Sequence, residues 1–163
     1  MTWTPNGNFL LNQAIADRST TKKHDLGTYV MCKDPTYGAG EFIYLKGVAS
    51  ASVRTWVTFN MDDGTTTRLA ANAIGPVAIA MSTLTASYYG WFQRSGKALG
   101  ACLTLYADNA NVWITATAGS VDDTSVAGDL VANAKGASTT TVSSGYAEFE
   151  IDRPFVTDRL SGS

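Results

Sequence analysis

The stretch Tyr146-Ala-Glu-Phe-Glu-Ile-Asp152 decides the fold class, because its apolar and charged side chains alternate. In an extended strand, Ala147, Phe149 and Ile151 share one face, and the two glutamates between them share the other. This period of two predicts a strand that is buried on one side and exposed to solvent on the other.

The same alternation returns repeatedly after residue 27, in the stretches 41–48, 53–59, 99–106 and 111–117. In the stretch 53–59, Val57 and Phe59 face inward, and Trp56 falls on the opposite face. The alternation predicts an inward-facing set, which consists of Ile43, Leu45, Val57, Phe59, Val77, Ile79, Leu103, Val112, Ile114, Phe149 and Ile151.

Turn-forming residues separate these stretches at short intervals, as in Asp62-Asp-Gly64 and Gly75-Pro76. Many short strands between such turns are typical of an antiparallel sandwich or barrel. The Ala-rich stretch 69–80 is cut by Gly75-Pro76 and then alternates, so it predicts a turn and a strand rather than a helix. The Ser/Thr-rich stretch 138–144 predicts an exposed edge or loop. The fold class is therefore all-β, an antiparallel β-barrel or jelly-roll-like sandwich.

Residues 1–26 differ from the rest of the chain, because they are polar and rich in turn-forming residues. Their apolar residues fall mainly in two small clusters, Phe9-Leu10-Leu11 and Ala14-Ile15-Ala16. We predict an extended N-terminal arm at 1–26 and a β domain with a short C-terminal tail at 27–163. Ordering an arm costs about 1–2 kcal/mol per residue, so we expect a partner to order it and its removal to leave domain stability nearly unchanged. The alternative is that the arm packs on its own domain.

The composition is that of one globular domain, with 163 residues, 45% hydrophobic residues and 16% charged residues. A net charge of −2 provides no basic field for nucleic acid. The longest apolar runs, such as Val77–Met81, are far shorter than the ~20 residues that span a membrane. The first residues carry no export signal. Cys32 and Cys102 lack metal-ligand spacing, so we expect two reduced, buried thiols and synthesis in the cytoplasm.

The residue types that carry chemistry are sparse. His24 is the only histidine and lies among charged residues of the arm, without a partner that would make it a general base. The pairs Asp62-Asp63 and Asp122-Asp123 are better explained by turns than by a metal loop. No nucleotide-binding or nucleophile motif is present in the sequence. We therefore expect no enzymatic activity, no catalytic or metal site and no cofactor.

Aromatic residues allow two interpretations. Exposed tryptophans would form a platform for carbohydrate. In Tyr88-Tyr-Gly-Trp-Phe92, however, both faces of a strand carry aromatic rings, which favours a core on one side and a subunit contact on the other. This interpretation predicts a homo-oligomer, a dimer or a trimer.

Seven stretches between residues 27 and 156 resemble the capsid decoration, or cement, proteins of tailed bacteriophages. They are Pro35–Ala49, Trp56–Asn60, Gly75–Ala80, Tyr89–Gln93, Ala107–Val112, Ala118–Asp123 and Arg153–Phe155. The resemblance implies a compact β-barrel or jelly-roll-like domain that assembles as a dimer or trimer at a symmetry axis of the capsid. It also implies binding to the major capsid protein on the outer surface of the phage head.

The expected function is therefore that of a structural virion protein that stabilises the capsid shell. The alternative is a non-catalytic β-sandwich module that binds carbohydrate or a host surface. The candidate interaction residues are the apolar residues of the arm and the aromatic residues of the strand around residue 90. They are Phe9, Leu10, Leu11, Ile15, Tyr88, Tyr89 and Trp91.

Overall fold

The computed structural model describes residues 2–103, 106–137 and 145–158. Within these ranges the chain forms strands and turns, and no helix in them is long and apolar enough to cross a membrane. The strands are β1 (Thr4–Pro5), β2 (Arg18–Ser19), β3 (Tyr29–Asp34), β4 (Gly38–Lys46), β5 (Trp56–Phe59), β6 (Thr66–Arg68), β7 (Gly75–Ala80), β8 (Tyr89–Ala101), β9 (Asn111–Ile114), β10 (Val121–Asp122), β11 (Leu130–Gly136) and β12 (Tyr146–Val156).

All ladders between these strands are antiparallel, and they follow the order β1-β3-β4-β8-β7-β12-β11-β9-β10. The strand β8 pairs with β4 along one edge and with β7 and then β12 along the other. The ends of this path, β1 and β10, do not pair with each other, so the described sheet is not closed. The predicted all-β fold class is confirmed, in an open, sandwich-like form.

The burial predicted for one face of β12 is confirmed, since Ala147, Phe149 and Ile151 are buried. Every other member of the predicted inward-facing set is also buried except Leu103, which is exposed. That prediction is wrong because β8 ends at Ala101. The next residue, Cys102, forms an isolated parallel bridge to Val121 outside the antiparallel ladder, so the alternation of β8 does not continue.

Several strands, β4 and β5 among them, are buried on both faces, which a half-buried alternation does not predict. In β4, Phe42 and Tyr44 pack in one cluster and Ile43 and Leu45 in another. In β5 the indole of Trp56 is fully buried, so the outward placement predicted for it is wrong. The physical reason is that further layers of chain cover both sides of these strands.

The largest apolar cluster lies around Phe149. Its ring meets those of Trp56 and Tyr106 edge to face, with centroid distances of 5.0 and 4.9 Å. Gly100 allows this packing, because a Cβ atom there would lie 2.6 Å from the indole Nε1 of Trp56. A larger residue at this position would push the tryptophan out of the cluster.

The turn prediction holds at Asp62-Asp-Gly64, whereas Gly75 and Pro76 are the first two residues of β7 and the turn lies before them, at 71–72. Residues 60–65 connect β5 to β6, where Thr65 donates from its backbone N–H and its hydroxyl to Asp63 Oδ1, at 3.0 and 2.7 Å. Gly64 takes a φ of +67°, which glycine adopts at low cost. The stretch 69–80 contains a turn and then β7. The predicted loop at 138–144 lies outside the described residues.

Candidate interaction surfaces

The N-terminal arm packs across β3, β4 and β8 of its own chain. Trp3 and Ile15 are buried in one cluster with Phe42, Tyr44 and Trp91. The expectation that only a partner would order this segment is therefore wrong, and the alternative describes the structure. The physical reason is that the arm covers sheet residues that are themselves apolar, so its few large side chains join a larger cluster.

Gln13 fixes the arm through a network of hydrogen bonds. Its backbone carbonyl accepts from the indole N–H of Trp91, and its Oε1 accepts from the hydroxyl of Tyr44, both at 2.8 Å. Its Nε2 donates to the carbonyls of Asp17 and Tyr89, both at 3.0 Å. All hydrogen-bonding groups of the Gln13 amide side chain thus have partners within the chain, which gives the arm one defined path.

The ring of His24 lies within an aromatic cluster, although its neighbours Lys23 and Asp25 are exposed. Its ring stacks on Phe9, with centroids 5.7 Å apart, and lies 5.2 Å from Tyr44 and 5.1 Å from Trp91. Its Nε2 is buried and has no hydrogen-bond partner among the described residues. Burial lowers the pKa of His24, and the neighbouring charge of Asp25 opposes this only in part.

The aromatic strand around residue 90 does not present the predicted subunit contact. Trp91 is fully buried beneath the arm, and Phe92 is fully buried on the other face. Tyr88 and Tyr89 are half-buried, and the guanidinium of Arg18 lies 4.5 Å from the ring centroid of Tyr88. The arm therefore occupies the face that the sequence assigned to another subunit.

The apolar arm residues named as candidates divide by exposure. Ile15 is buried, so it is not available to a partner. Phe9 and Leu11 are half-buried on the cluster beneath the arm. Leu10, between them, is 76% exposed. Of the arm candidates, only Leu10 presents most of its side chain to solvent.

A second exposed surface lies on the other side of the β3–β4 ladder. We call it the apolar face and define it by Tyr29, Met31, Met61, Ile74 and Phe155, all of which are exposed. In β3, Val30 and Cys32 face the arm cluster, so Tyr29 and Met31 point away from the arm.

The apolar face is continuous across several strands. The hydroxyl of Tyr29 lies 3.9 Å from the sulfur of Met61. Met61 and Ile74 line one hollow, which has Phe59 and Pro76 in its wall. Phe59 and Pro76 also line the neighbouring hollow, which Phe155 borders. The sequence does not reveal this surface, because its members come from separate strands and turns.

Charged groups lie within the apolar face at one end. The carboxylate of Glu41 pairs with Arg94 at 3.0 Å and with Arg153 at 2.9 Å. The guanidinium of Arg94 lies 4.7 Å from the ring centroid of Tyr29. Glu41 and Arg94 are largely buried, whereas the Arg153 side chain is 62% exposed.

The aspartates at the opposite end belong to the turn between β5 and β6. Asp62 lines the hollow that contains Met61 and Ile74. Asp63 is engaged within the turn by Thr65, and these hydrogen bonds lower the pKa of its carboxyl. One end of the apolar face therefore carries guanidinium groups and the other carries carboxylates.

Other candidate chemistry has a local structural explanation. Cys32 and Cys102 are buried, and burial raises the pKa of each thiol to about 11, which keeps both protonated at neutral pH. Asp123 accepts a hydrogen bond from the backbone of Ala107 at 2.9 Å. Across the described ranges, no group of three His, Cys, Asp or Glu side chains is placed to hold a metal ion.

The tryptophans do not form an exposed platform for carbohydrate. Trp3, Trp56 and Trp91 are buried, and Trp113 is half-buried. The alternative function that depends on such a platform therefore has no support from these residues.

Comparison with known proteins adds no relative. The chain matches no family model, no curated protein and no solved structure. The resemblance to phage decoration proteins remains a prediction that depends on the residues quoted above.

Proposed function

We propose that this chain is a structural virion protein that binds the outer surface of a tailed-phage head and stabilises the shell. The observation that carries the proposal is the presence of exposed apolar groups on both sides of the β3–β4 ladder. Leu10 projects from the arm that covers one side, and the apolar face lies on the other. A protein that bridges neighbours needs two separate contact surfaces, and this arrangement supplies them.

The packing of the arm supports a role in holding capsid subunits in place. Gln13 and the buried Trp3 and Ile15 fix the arm to the sheet. A partner bound at Leu10 would therefore be held in a fixed position relative to the β domain. A mobile arm would instead act as a flexible tether. The rigid arrangement favours a protein that holds capsid subunits at fixed positions.

The proposed partner at the arm is the major capsid protein, and Phe9–Leu11 is the proposed contact. A capsid repeats one surface many times, so moderate contacts at each copy add up to firm retention when binding molecules are linked to one another. The proposal includes self-association and assigns to the chain no reaction, no cofactor and no nucleic acid partner.

The test is to add the purified chain to heads that lack it and to measure bound protein by co-sedimentation and by negative-stain imaging. We expect regular binding and a higher temperature of head disruption. Burial of a leucine side chain is worth about 1.5–3 kcal/mol, so Leu10→Asp should weaken retention by roughly tenfold or more.

The matched control is Val126→Asp, which places a carboxylate at another exposed apolar residue. It should bind heads as the wild type does. Absence of binding by the wild-type chain contradicts the proposed function. Equal retention of the Leu10→Asp and wild-type proteins contradicts the assignment of the arm as the contact.

A further inference from the structure

We infer that the apolar face binds a second copy of this chain across a two-fold axis. This inference depends on the self-association included in the proposed function, and it adds the surface and the symmetry. Five of the nine large apolar side chains exposed in the described residues lie on this face. Ile74 is 68% exposed and Met61 is 61% exposed. Such a concentration of apolar side chains is typical of an interaction surface.

The first charged end of the face is positive. Arg94 and Arg153 share the single carboxylate of Glu41, so two guanidinium groups face one negative charge. Arg94 and Glu41 are largely buried, and the exposed member of the group is Arg153. A partner that meets this end gains most by presenting a carboxylate.

The second end is negative. Thr65 engages the carboxylate of Asp63, but among the described residues the carboxylate of Asp62 has no ion-pair or hydrogen-bond partner. Asp62 lines the hollow of Met61 and Ile74, and Arg153 lines the adjacent hollow. Phe59 and Pro76 border both hollows, so these two apolar side chains lie between the hollow that Asp62 lines and the hollow that Arg153 lines.

A two-fold rotation makes this pattern complementary to itself. When two copies meet face to face in opposite directions, Asp62 of each copy approaches Arg153 of the other, and the apolar centres cover each other. Contacts related by a two-fold axis occur twice, so each favourable charge pair is doubled. Charge complementarity of this kind fixes orientation and excludes partners that present the same charge at the same end.

The experiment measures the oligomeric state of the full chain, free of capsids, by mass photometry and sedimentation velocity over a range of concentrations. The wild type should form dimers. Asp62→Lys places positive charge at both ends of the face, and Arg153→Glu places negative charge at both ends. Each variant alone should dimerise at least about tenfold more weakly than the wild type, because every cross-axis pair becomes repulsive.

Mixing the two variants provides the decisive measurement. In a mixed dimer, Lys at position 62 of one chain meets Glu at position 153 of the other, and the remaining native Asp62 meets the remaining native Arg153. The mixture should therefore dimerise more strongly than either variant alone. A variant that merely fails to fold would not recover, and thermal unfolding of each variant provides a second check on folding.

Asp108→Lys is the matched control, because Asp108 is an exposed aspartate in another turn. Its dimerisation should equal that of the wild type. A wild-type chain that stays monomeric at its highest soluble concentration would overturn the inference. Unchanged dimers in both variants would also overturn it, as would a trimer or a mixture that fails to recover.

Head binding distinguishes this inference from the proposed function. If the wild type is monomeric and Asp62→Lys loses retention on heads, the apolar face binds a capsid subunit and not a second copy of the chain. The inference is then wrong, and the proposed function stands. If dimers form as expected and the wild-type chain does not bind heads, the assignment of the face stands and the proposed function fails.

Discussion

Phe149 is the residue on which the largest apolar cluster depends. It is fully buried and packs edge to face on Trp56 and Tyr106. We predict that Phe149→Ala lowers the free energy of unfolding by about 3–5 kcal/mol, because the loss of contacts adds to the cost of a cavity. Urea denaturation followed by tryptophan fluorescence measures the change.

Leu130→Ala serves as the comparison, because Leu130 is exposed on the neighbouring strand β11. The expected loss is below about 1 kcal/mol, as for most surface positions. Equal losses in the two variants would show that Phe149 is not central to the cluster.

We predict that His24 makes the stability of the protein depend on pH. Burial lowers the pKa of His24 below its ordinary value of 6.5, so the unfolded chain takes up a proton at a higher pH than the folded chain does. The free energy of unfolding should therefore fall as the pH drops through about 6.5 towards the lower pKa of the folded state. Above about pH 6.5 the histidine is mostly neutral in both the folded and the unfolded chain, so it no longer lowers the free energy of unfolding.

The measurement is the midpoint of urea denaturation between pH 7.5 and pH 5.5, a range chosen to stay above the ordinary pKa values of carboxyl groups, about 4. His24→Phe keeps an aromatic ring in the cluster and removes the titrating group. It should show a shallower dependence on pH than the wild type. Identical slopes would assign the pH dependence to other groups.

Individual positions were predictable from the sequence where a strand continued and unpredictable where it ended. Phe149 follows the alternation of a strand that runs from Tyr146 to Val156, and it is buried as predicted. Leu103 follows an equally regular alternation, but β8 ends two residues earlier. Local alternation contains no information on the position of the last ladder hydrogen bond, because that position depends on the partner strand.

Among the structural elements, the arm departs most from the sequence-based prediction. Removing residues 1–25 would uncover Phe42, Tyr44 and Trp91, and it would also remove the buried side chains of Trp3 and Ile15. We predict a clear loss of stability, because burial of the last two alone is worth about 3–6 kcal/mol before the entropy of ordering the arm is subtracted. The measurement is the urea midpoint of the truncated protein.

Gln13→Ala in the full-length chain tests the arm without deleting it. It leaves the hydroxyl of Tyr44 without its acceptor and should cost about 1–3 kcal/mol, less than the truncation.

An unchanged urea midpoint after truncation is the outcome that the sequence alone predicts. It would show that the contacts of the arm add nothing to stability.

The arm was hard to predict because its large apolar side chains are spread along the chain. Trp3, Phe9, Leu11 and Ile15 fall on alternate positions and share one side of the arm. The period is hidden in the sequence because the polar Gln13 is buried on that side and the apolar Leu10 is exposed on the other. The complementary signal lies in β4, where consecutive residues from Phe42 to Leu45 are all apolar or aromatic. Such a run predicts burial on both faces but does not identify the segment that covers the second face.

The candidate surfaces were less predictable than the fold. Exposure of Leu10 agrees with its choice as a contact residue, but burial of Ile15 and Trp91 does not. The apolar face depends on residues 29, 61, 74 and 155, which only the order of the strands brings together. Its prediction would have required the sheet topology, which periodicity does not determine.

At the scale of the whole molecule, β8 connects the apolar clusters. It contributes Trp91 to the cluster beneath the arm, Phe92 to the cluster shared with β4 and β5, and Ala98 to the cluster around Phe149. Loss of β8 would therefore uncover all three at once. We expect the described fold to unfold as one cooperative unit, which is typical of a chain of this length.

The position of the partners of β8 along the chain has a consequence for synthesis on the ribosome. Its partners β2, β4 and β7 are translated before it, but β12, which pairs with residues 95–101, is the last strand to emerge. Until then, the far half of β8 has an edge without that partner, and such an edge can pair with another nascent chain. Slow translation between residues 101 and 146 would prolong this state, so the yield of folded protein should depend on how quickly β12 is delivered.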